Sequence, residues 1–249
     1  MNKSLTRIIT LTRRNLKEII RDPLSLIFTI LMPLLMEVLF YILFHGLTSQ
    51  FEMKYLAPGI VVFSEAFLTL FTGMLISIDR NTSFLTRLYV SKTKPYEFIL
   101  SYALAVIPIT VIQSILFFGV GIIFDPSLLS IRLLFGILLS IVTSVLFISF
   151  GLLFGSICDE KSIGGVSSII IVSQSVLSGM WFPLEGISEV MMKIMEILPF
   201  RNGTLLIQNI IIGYNDLTSD ILIPLVIILV YSVVVSILAI IVFKKKMKG

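Results

Sequence analysis

Six long blocks of apolar residues constrain this chain more than any other feature of its sequence. They cover about residues 24–44, 57–78, 98–124, 133–157, 163–182 and 221–243. A bilayer core is about 30 Å thick, and a helix needs roughly 20 apolar residues to cross it. Barrel strands are shorter and alternate in polarity, and lipid offers the backbone no hydrogen-bond partners. The blocks therefore predict an all-α membrane protein with six transmembrane helices in a single domain, 1–249.

The composition excludes several classes of protein. Only 14% of the residues are charged, whereas soluble domains carry about 25%. The chain has one Cys, Cys158, and one His, His45. That inventory cannot supply a zinc site of four protein ligands or an intrachain disulfide framework. It also gives a membrane-embedded enzyme neither a metal cluster nor a nucleophile with its base, so we expect no catalytic activity on this chain.

The cations are distributed unevenly between the loops. Most of the 19 Lys and Arg residues precede the first block or follow the second, fourth and sixth blocks. The other side of the membrane receives Lys54, Arg132, Lys193 and Arg201. Because basic loops stay in the cytoplasm, this bias predicts a multi-pass protein of the plasma membrane with both termini cytoplasmic.

The N-terminal segment, 1–22, has the pattern of an amphipathic helix. One arc about 120° wide collects its apolar residues, which are Leu5, Ile8, Ile9, Leu16, Ile19 and Ile20. The charged residues fall on the opposite side, and Asp22-Pro23 ends the helix because the residue before a proline avoids the helical region. We expect a helix on the inner leaflet with its cations among anionic headgroups. The alternative is a flexible basic tail.

Two loops carry further structure. The segment 79–97 is basic, and Phe84, Leu85, Leu88 and Tyr89 form a small apolar face within it. This spacing predicts a short helix, with a solvated connector as the alternative. The segment 183–220 is predicted to form a helical hairpin outside the cytoplasm. It contains two apolar runs, 190–198 and 204–212, which are too short to cross a bilayer. They predict re-entrant or interfacial helices, broken at Pro199-Phe200 and at Gly213.

Polar side chains inside the spans are candidates for a translocation path. They are Glu37, Glu65, Gln113 and Gln174. Ionisable groups in membrane helices are costly and are functional candidates by default. The alternative is interhelical hydrogen bonding that fixes the packing. Gly151 and Gly155 form a GxxxG pair, which predicts a close approach between helices.

No nucleotide-binding segment is visible in the sequence. The run Gly155–Ser162 has the spacing of a phosphate-binding loop, but Glu160 replaces its second glycine and no strand precedes it. We therefore expect any energy source to lie on another polypeptide.

Taken together, the motifs resemble those of the membrane subunit of ABC-2 type transporters. The segments that carry the resemblance are RRNLKEIIRDP (Arg13–Pro23), LMPL (Leu31–Leu34), APGI (Ala57–Ile60), the loop Ile78–Pro95, SGMWFPLE (Ser178–Glu185) and LPFR (Leu198–Arg201). The first segment is similar to the family's elbow helix, and the loop to its signature after the second span. The loop departs from the signature at Asn81, at Thr82 and at its end, Thr93-Lys94-Pro95.

The resemblance implies a permease of an ATP-driven exporter for a drug-like, lipidic or glycan substrate. It would dimerise with itself or a close relative and bind separate ATP-binding subunits, which would hold ATP and Mg. The residues implied in docking are Asp79, Arg80, Phe84, Leu85, Arg87, Leu88 and Tyr89. The alternative function is a secondary transporter or channel that works without ATP, for which paired ionisable groups or half-helices at the midplane are expected.

Overall fold

The computed structural model describes residues 3–81, 93–182, 184 and 186–246, and no strand occurs within these ranges. Nine α-helices are found in the described residues. They are α1 (Lys3–Arg21), α2 (Pro23–Phe44), α3 (Met53–Asn81), α4 (Pro95–Phe124), α5 (Ile131–Ile157), α6 (Ile163–Leu177), α7 (Glu189–Ile197), α8 (Pro199–Ile212) and α9 (Ile223–Lys246). The all-α prediction is confirmed.

Five of these helices are long and apolar enough to cross a membrane, namely α2, α3, α4, α5 and α9 with the turn before it. The remaining predicted span, 163–182, contains α6, which has 15 residues. At 1.5 Å per residue α6 is about 22 Å long, shorter than the bilayer core. The helix ends near Gly179, whose φ of +71° lies in the left-handed region. The count of six spans therefore stays a prediction.

Local sequence signals set the helix boundaries. The Asp22 carboxylate accepts a hydrogen bond from the Ser25 backbone N–H at 3.2 Å, so it caps α2, and Pro23 occupies the first turn. At its C-terminal end, α8 stops at Gly213, whose φ of +115° suits glycine. The sequence placed a break at Pro199-Phe200. The structure begins α8 at Pro199 because proline fits the first position of a helix.

Helix α3 is the centre of the bundle. Most of its surface is buried, whereas α2 and α9 expose most of theirs. Glycines allow α5 to pack closely against α3: a Cβ at Gly151 would lie 2.6 Å from the Thr69 carbonyl oxygen, and one at Gly155 would lie 2.5 Å from the Gly73 carbonyl oxygen. The GxxxG pair therefore packs two helices of the same chain, as the sequence predicts for close helix approach.

The segment between α6 and α9 has two short helices with different surroundings. Helix α7 is amphipathic and largely exposed, with Met195 buried. Helix α8 is packed among α3, α5 and α9, and buries Phe200, Leu206 and Ile207. The two predicted short runs are thus helical, and α8 belongs to the core of the bundle. Whether they are re-entrant stays a prediction.

Helix α1 forms over the predicted segment and packs against α4. Its apolar arc is divided: Ile8 and Ile19 are buried, whereas Leu5, Ile9 and Ile20 are exposed. The exposed apolar residues lie between the packed side and the charged side, where a membrane surface would contact them. The position of α1 on the leaflet stays a prediction.

Several elements meet at one end of the bundle, which we call the basic end. It comprises α1, the end of α3, the start of α4, the turn between α5 and α6, and the end of α9. Phe243 of α9 stacks on Phe98 of α4 with ring centroids 4.8 Å apart, which brings Lys244 and Lys245 to this end. Contacts at the opposite end include the Gln208 side chain, which donates to the Tyr55 carbonyl.

Candidate functional site

The first candidate group lies where α3 reaches the basic end. Asp79 has 3% of its surface exposed. Arg14 of α1 donates to both of its carboxylate oxygens, from Nη1 to Oδ2 at 2.5 Å and from Nη2 to Oδ1 at 2.6 Å. A bidentate Arg–carboxylate pair is strong and directional. The two residues are separated by 65 positions in sequence, so this pair fixes α1 to α3.

Other groups also contact this pair. The Tyr102 hydroxyl of α4 donates to Asp79 Oδ2, and Arg14 Nη2 donates to Glu18 Oε1 at 2.5 Å. Burial alone lowers the pKa of Arg14, but the hydrogen bond and charge of Asp79 outweigh it and raise that pKa above its ordinary value. Burial raises the pKa of Glu18, and the nearby charge of Asp79 adds to this increase. Arg14 therefore stays charged between two acids.

A second ion pair lies at the start of α4. Glu97 has 1% of its surface exposed. Its Oε2 accepts from Arg7 Nη1 at 3.1 Å and from the Lys94 backbone N–H at 2.9 Å. Its Oε1 accepts from the Ser4 hydroxyl at 2.5 Å. The Glu97 carboxylate therefore caps α4 and binds α1 at the same time.

Arg80 fixes the end of α3 to another turn. Its Nη1 donates to the carbonyl oxygens of Gly155 and Cys158, both at 2.9 Å. The Ser77 hydroxyl donates to the Cys158 carbonyl at 3.3 Å. These carbonyls belong to the end of α5, where a cation is favourable for the helix dipole. The residues that lead into the segment 82–92 are thus fixed on two sides.

Five of the residues predicted to dock an ATPase lie outside the described residues. They are Phe84, Leu85, Arg87, Leu88 and Tyr89. The other two, Asp79 and Arg80, are engaged by α1, α4 and the end of α5. The structure therefore brings Asp79 and Arg80 together with groups inside the permease, and their part in docking stays a prediction.

The predicted translocation residues are all buried inside the bundle. Glu37 of α2 is fully buried, and neither of its carboxylate oxygens has a hydrogen-bond partner among the described residues. Glu65 of α3 accepts a hydrogen bond from the Thr143 hydroxyl of α5 at 2.9 Å through Oε1. The surroundings of Glu65 therefore fit a contact between helices, and a role of Glu37 in a path for substrate stays a prediction.

The two glutamines link helices through single hydrogen bonds. The Gln113 side chain of α4 donates to the Thr29 carbonyl of α2 at 3.0 Å. The Gln174 side chain of α6 donates to the Thr204 hydroxyl of α8 at 3.1 Å. Both carbonyl oxygens of these amides lack a partner within the part of the chain that the structure describes. These contacts fit interhelical packing, and a role in a path for substrate stays a prediction.

A groove between α2 and α3 is the clearest candidate for an apolar ligand. Its cavity measures about 420 Å³, within the range of small-molecule sites. Most of its lining is apolar: Leu24, Phe28, Met32, Phe67, Leu70, Phe71, Met74, Leu75 and Ile78. Its polar members are Asp22, Ser25 and Thr29, which lie toward the start of α2. This composition suits an acyl chain or an amphiphile.

Four residues of the basic end were not singled out from the sequence. They are Arg7, Arg14, Glu97 and Tyr102. One signal was available for the arginines: a spacing of seven residues places Arg7 and Arg14 on the same face of a helix. Their acceptors are far away in sequence, so no local pattern could have paired them.

The fold and these groups define a multi-pass, all-helical membrane protein whose basic end is connected by ion pairs. The chain matches the family model of the ABC-2 type transporter over residues 6–212. It belongs to the ABC-2 type transporter family, and it is a permease rather than a catalytic subunit. No curated protein matches the chain.

Proposed function

We propose that this protein is the membrane subunit of an ATP-driven exporter of the plasma membrane, with both termini in the cytoplasm. It works as a dimer with itself or a close relative, and separate ATP-binding subunits carry ATP and Mg. Family membership over most of the chain is the observation that carries this proposal. Membership in this family disfavours a carrier that works without ATP.

The basic end supports the proposed orientation. Helices α3, α5 and α9 end there, and α4 and α6 begin there. Between α6 and α9 the chain lies at the opposite end of the bundle, where the Arg132 side chain donates to the Ile212 carbonyl at 2.8 Å. This geometry fits six crossings, with α6 as the short one. Cations gathered at one end belong on the cytoplasmic side.

The proposal is tested by asking whether an ATP-binding subunit from the same cells co-purifies with this chain. We expect the wild-type permease to recover it and Leu88→Asp to lose it, because an apolar docking face would not tolerate a carboxylate. Leu47→Asp is the matched control, since Leu47 is 72% exposed and lies beyond the far end of α2. Failure of the wild type to recover the subunit would contradict the proposed function. Equal recovery by Leu88→Asp would contradict only the docking residues.

For the substrate, the α2–α3 groove favours an amphiphile over a glycan. Nine of the lining side chains are apolar, whereas a glycan site needs converging hydrogen-bond donors and acceptors. The groove borders the basic end through Asp22, so a ligand would enter from the cytoplasmic leaflet. We therefore propose a lipidic or drug-like substrate with an apolar portion in this groove.

Filling the groove tests the substrate class. We expect Met74→Trp to abolish stimulation of ATP hydrolysis by dodecylamine, a single-chain amphiphile, in the reconstituted complex. Ile237→Trp is the control, because Ile237 lines a second lipid-facing groove between α5 and α9. Undiminished stimulation in Met74→Trp would contradict the groove as the site, and no stimulation of the wild type would contradict this amphiphile class.

A further inference from the structure

Helix α1 binds both stems of the segment that joins α3 to α4. One stem is the end of α3 and includes Asp79, to which Arg14 donates from two nitrogens. The other stem includes Glu97, which Arg7 and Ser4 hold. Both acids are buried, although they lie at the basic end of the bundle. A single helix therefore bridges the entry and the exit of one loop.

The geometry of α1 makes these two contacts parts of one face. Arg7 and Arg14 are two turns apart, so their side chains project in nearly the same direction. Ile8, Asn15 and Ile19 pack beside them against the rest of the protein. The Asn15 side chain also donates to the Ser101 hydroxyl of α4 at 3.2 Å. This face of α1 is attached by polar contacts along most of its length.

The energetics favour joint movement over separation. Breaking a pair by removing its cation leaves a buried carboxylate without compensation, which is strongly unfavourable. Asp79 also accepts from Tyr102, so three helices share one carboxylate. Displacing either stem without α1 would leave a buried carboxylate without its arginine partner. Moving α1 with both stems preserves all of the contacts.

We propose that Arg7 and Arg14 are positioning residues that clamp both stems to α1, so that a force on the loop moves α1 as well. The proposal rests on the proposed function, because an ATP-binding subunit supplies that force. The clamp assigns the coupling between the loop and α1 to these two side chains, and α2 starts directly after α1 at Pro23. The residues that bind the ATP-binding subunit are then different from Arg7 and Arg14, which pass the movement of the loop to α1.

The clamp is tested in the complete permease–ATPase complex with a probe on α1. Cys158→Ser removes the native thiol, and Lys17→Cys places an environment-sensitive fluorophore on the exposed side of α1. We expect Mg-ATP with vanadate to change its fluorescence. In Arg14→Gln the change should fall about fivefold or more while the ATPase remains bound. Arg14→Lys, which keeps the charge but not the bidentate geometry, should give an intermediate response.

Arg13→Gln is the matched control, because Arg13 is the adjacent cation and its side chain is exposed. Its response should equal that of the parent. A full response in Arg14→Gln, with the ATPase bound, would overturn the clamp. An equal loss of response in Arg13→Gln and Arg14→Gln would also overturn it, since the removal of any positive charge from α1 would then explain the effect.

A second measurement needs no ATPase and separates the two proposals. Arg14→Gln and Asp79→Asn, singly and together, form a double-mutant cycle for unfolding of the purified permease. We expect the double variant to lose less stability than the two single losses combined. Additive losses would overturn the clamp. A coupled pair in a permease that binds no ATPase would instead retain the attachment of α1 and overturn the proposed function.

Discussion

Buried acids at the basic end and buried acids within the bundle have different partners. Asp79 and Glu97 each bind an arginine of α1. Glu37 and Glu65 are buried as deeply, but no ion pair to either is found among the described residues. The charged pairs join elements that are distant in sequence at the end of the bundle where the cations of α1 lie. The bundle interior uses neutral donors such as the Thr143 hydroxyl. Charged partners thus join α1 to α3 and α4 at the basic end, whereas a neutral donor joins α3 to α5 in the interior.

The largest effect should come from the basic end. Asp79→Ala removes the acceptor of Arg14 and Tyr102, so we expect the free energy of unfolding to fall by about 3 kcal/mol. Denaturation of the detergent-solubilised permease measures this change. Glu189→Ala, at an exposed position in α7, should change it by less than about 0.5 kcal/mol. Equal losses in both variants would mean that the Asp79 pairs contribute no special stability.

A smaller effect is expected from the hydrogen bond inside the bundle. Thr143→Val deprives Glu65 Oε1 of its donor while keeping the shape of the side chain, and should cost about 1 kcal/mol. Ser156→Ala is the control, because that hydroxyl donates to the Leu152 carbonyl of its own helix. The same denaturation assay compares them. A loss from Thr143→Val as large as that from Asp79→Ala would remove the contrast between the two regions.

The smallest effect on stability is expected at Glu37. Its carboxylate oxygens have no partner in the described structure, so Glu37→Met removes an unsatisfied polar group and should leave stability unchanged or raise it. Transport by the reconstituted complex is measured beside stability. Loss of transport at full stability would support Glu37 as part of the translocation path. A large loss of stability would contradict our account of its surroundings.

The sequence alone located the long helices, but it did not show which helices pack against one another. Continuous apolar runs correctly located α2, α4, α5 and α9, because length and hydropathy are local properties. They extended the fifth block to residue 182, whereas α6 ends at Leu177, because the apolar composition continues through the turn at Gly179. Hydropathy also could not reveal that α8 is packed among α3, α5 and α9, since burial depends on what packs around a run.

The candidate site was only partly predictable for the same reason. The resemblance implied a docking role for Asp79 and Arg80, yet their partners are Arg14, Tyr102 and the carbonyls of α5. Those contacts are created by the tertiary fold between residues far apart in the chain. Glu97 was overlooked because a lone acid near a predicted helix start has an ordinary capping role, which it also performs here.

The orientation of the basic end can be measured directly by labelling cysteines. In the Cys158→Ser background, Arg13→Cys marks the basic end and Asp216→Cys marks the segment between α8 and α9, and intact cells receive a membrane-impermeant maleimide. Our account predicts that Cys at 216 reacts in intact cells and that Cys at 13 reacts only after lysis. Labelling of position 13 in intact cells would place the ion-paired end outside, away from any ATP-binding subunit, and would contradict the account.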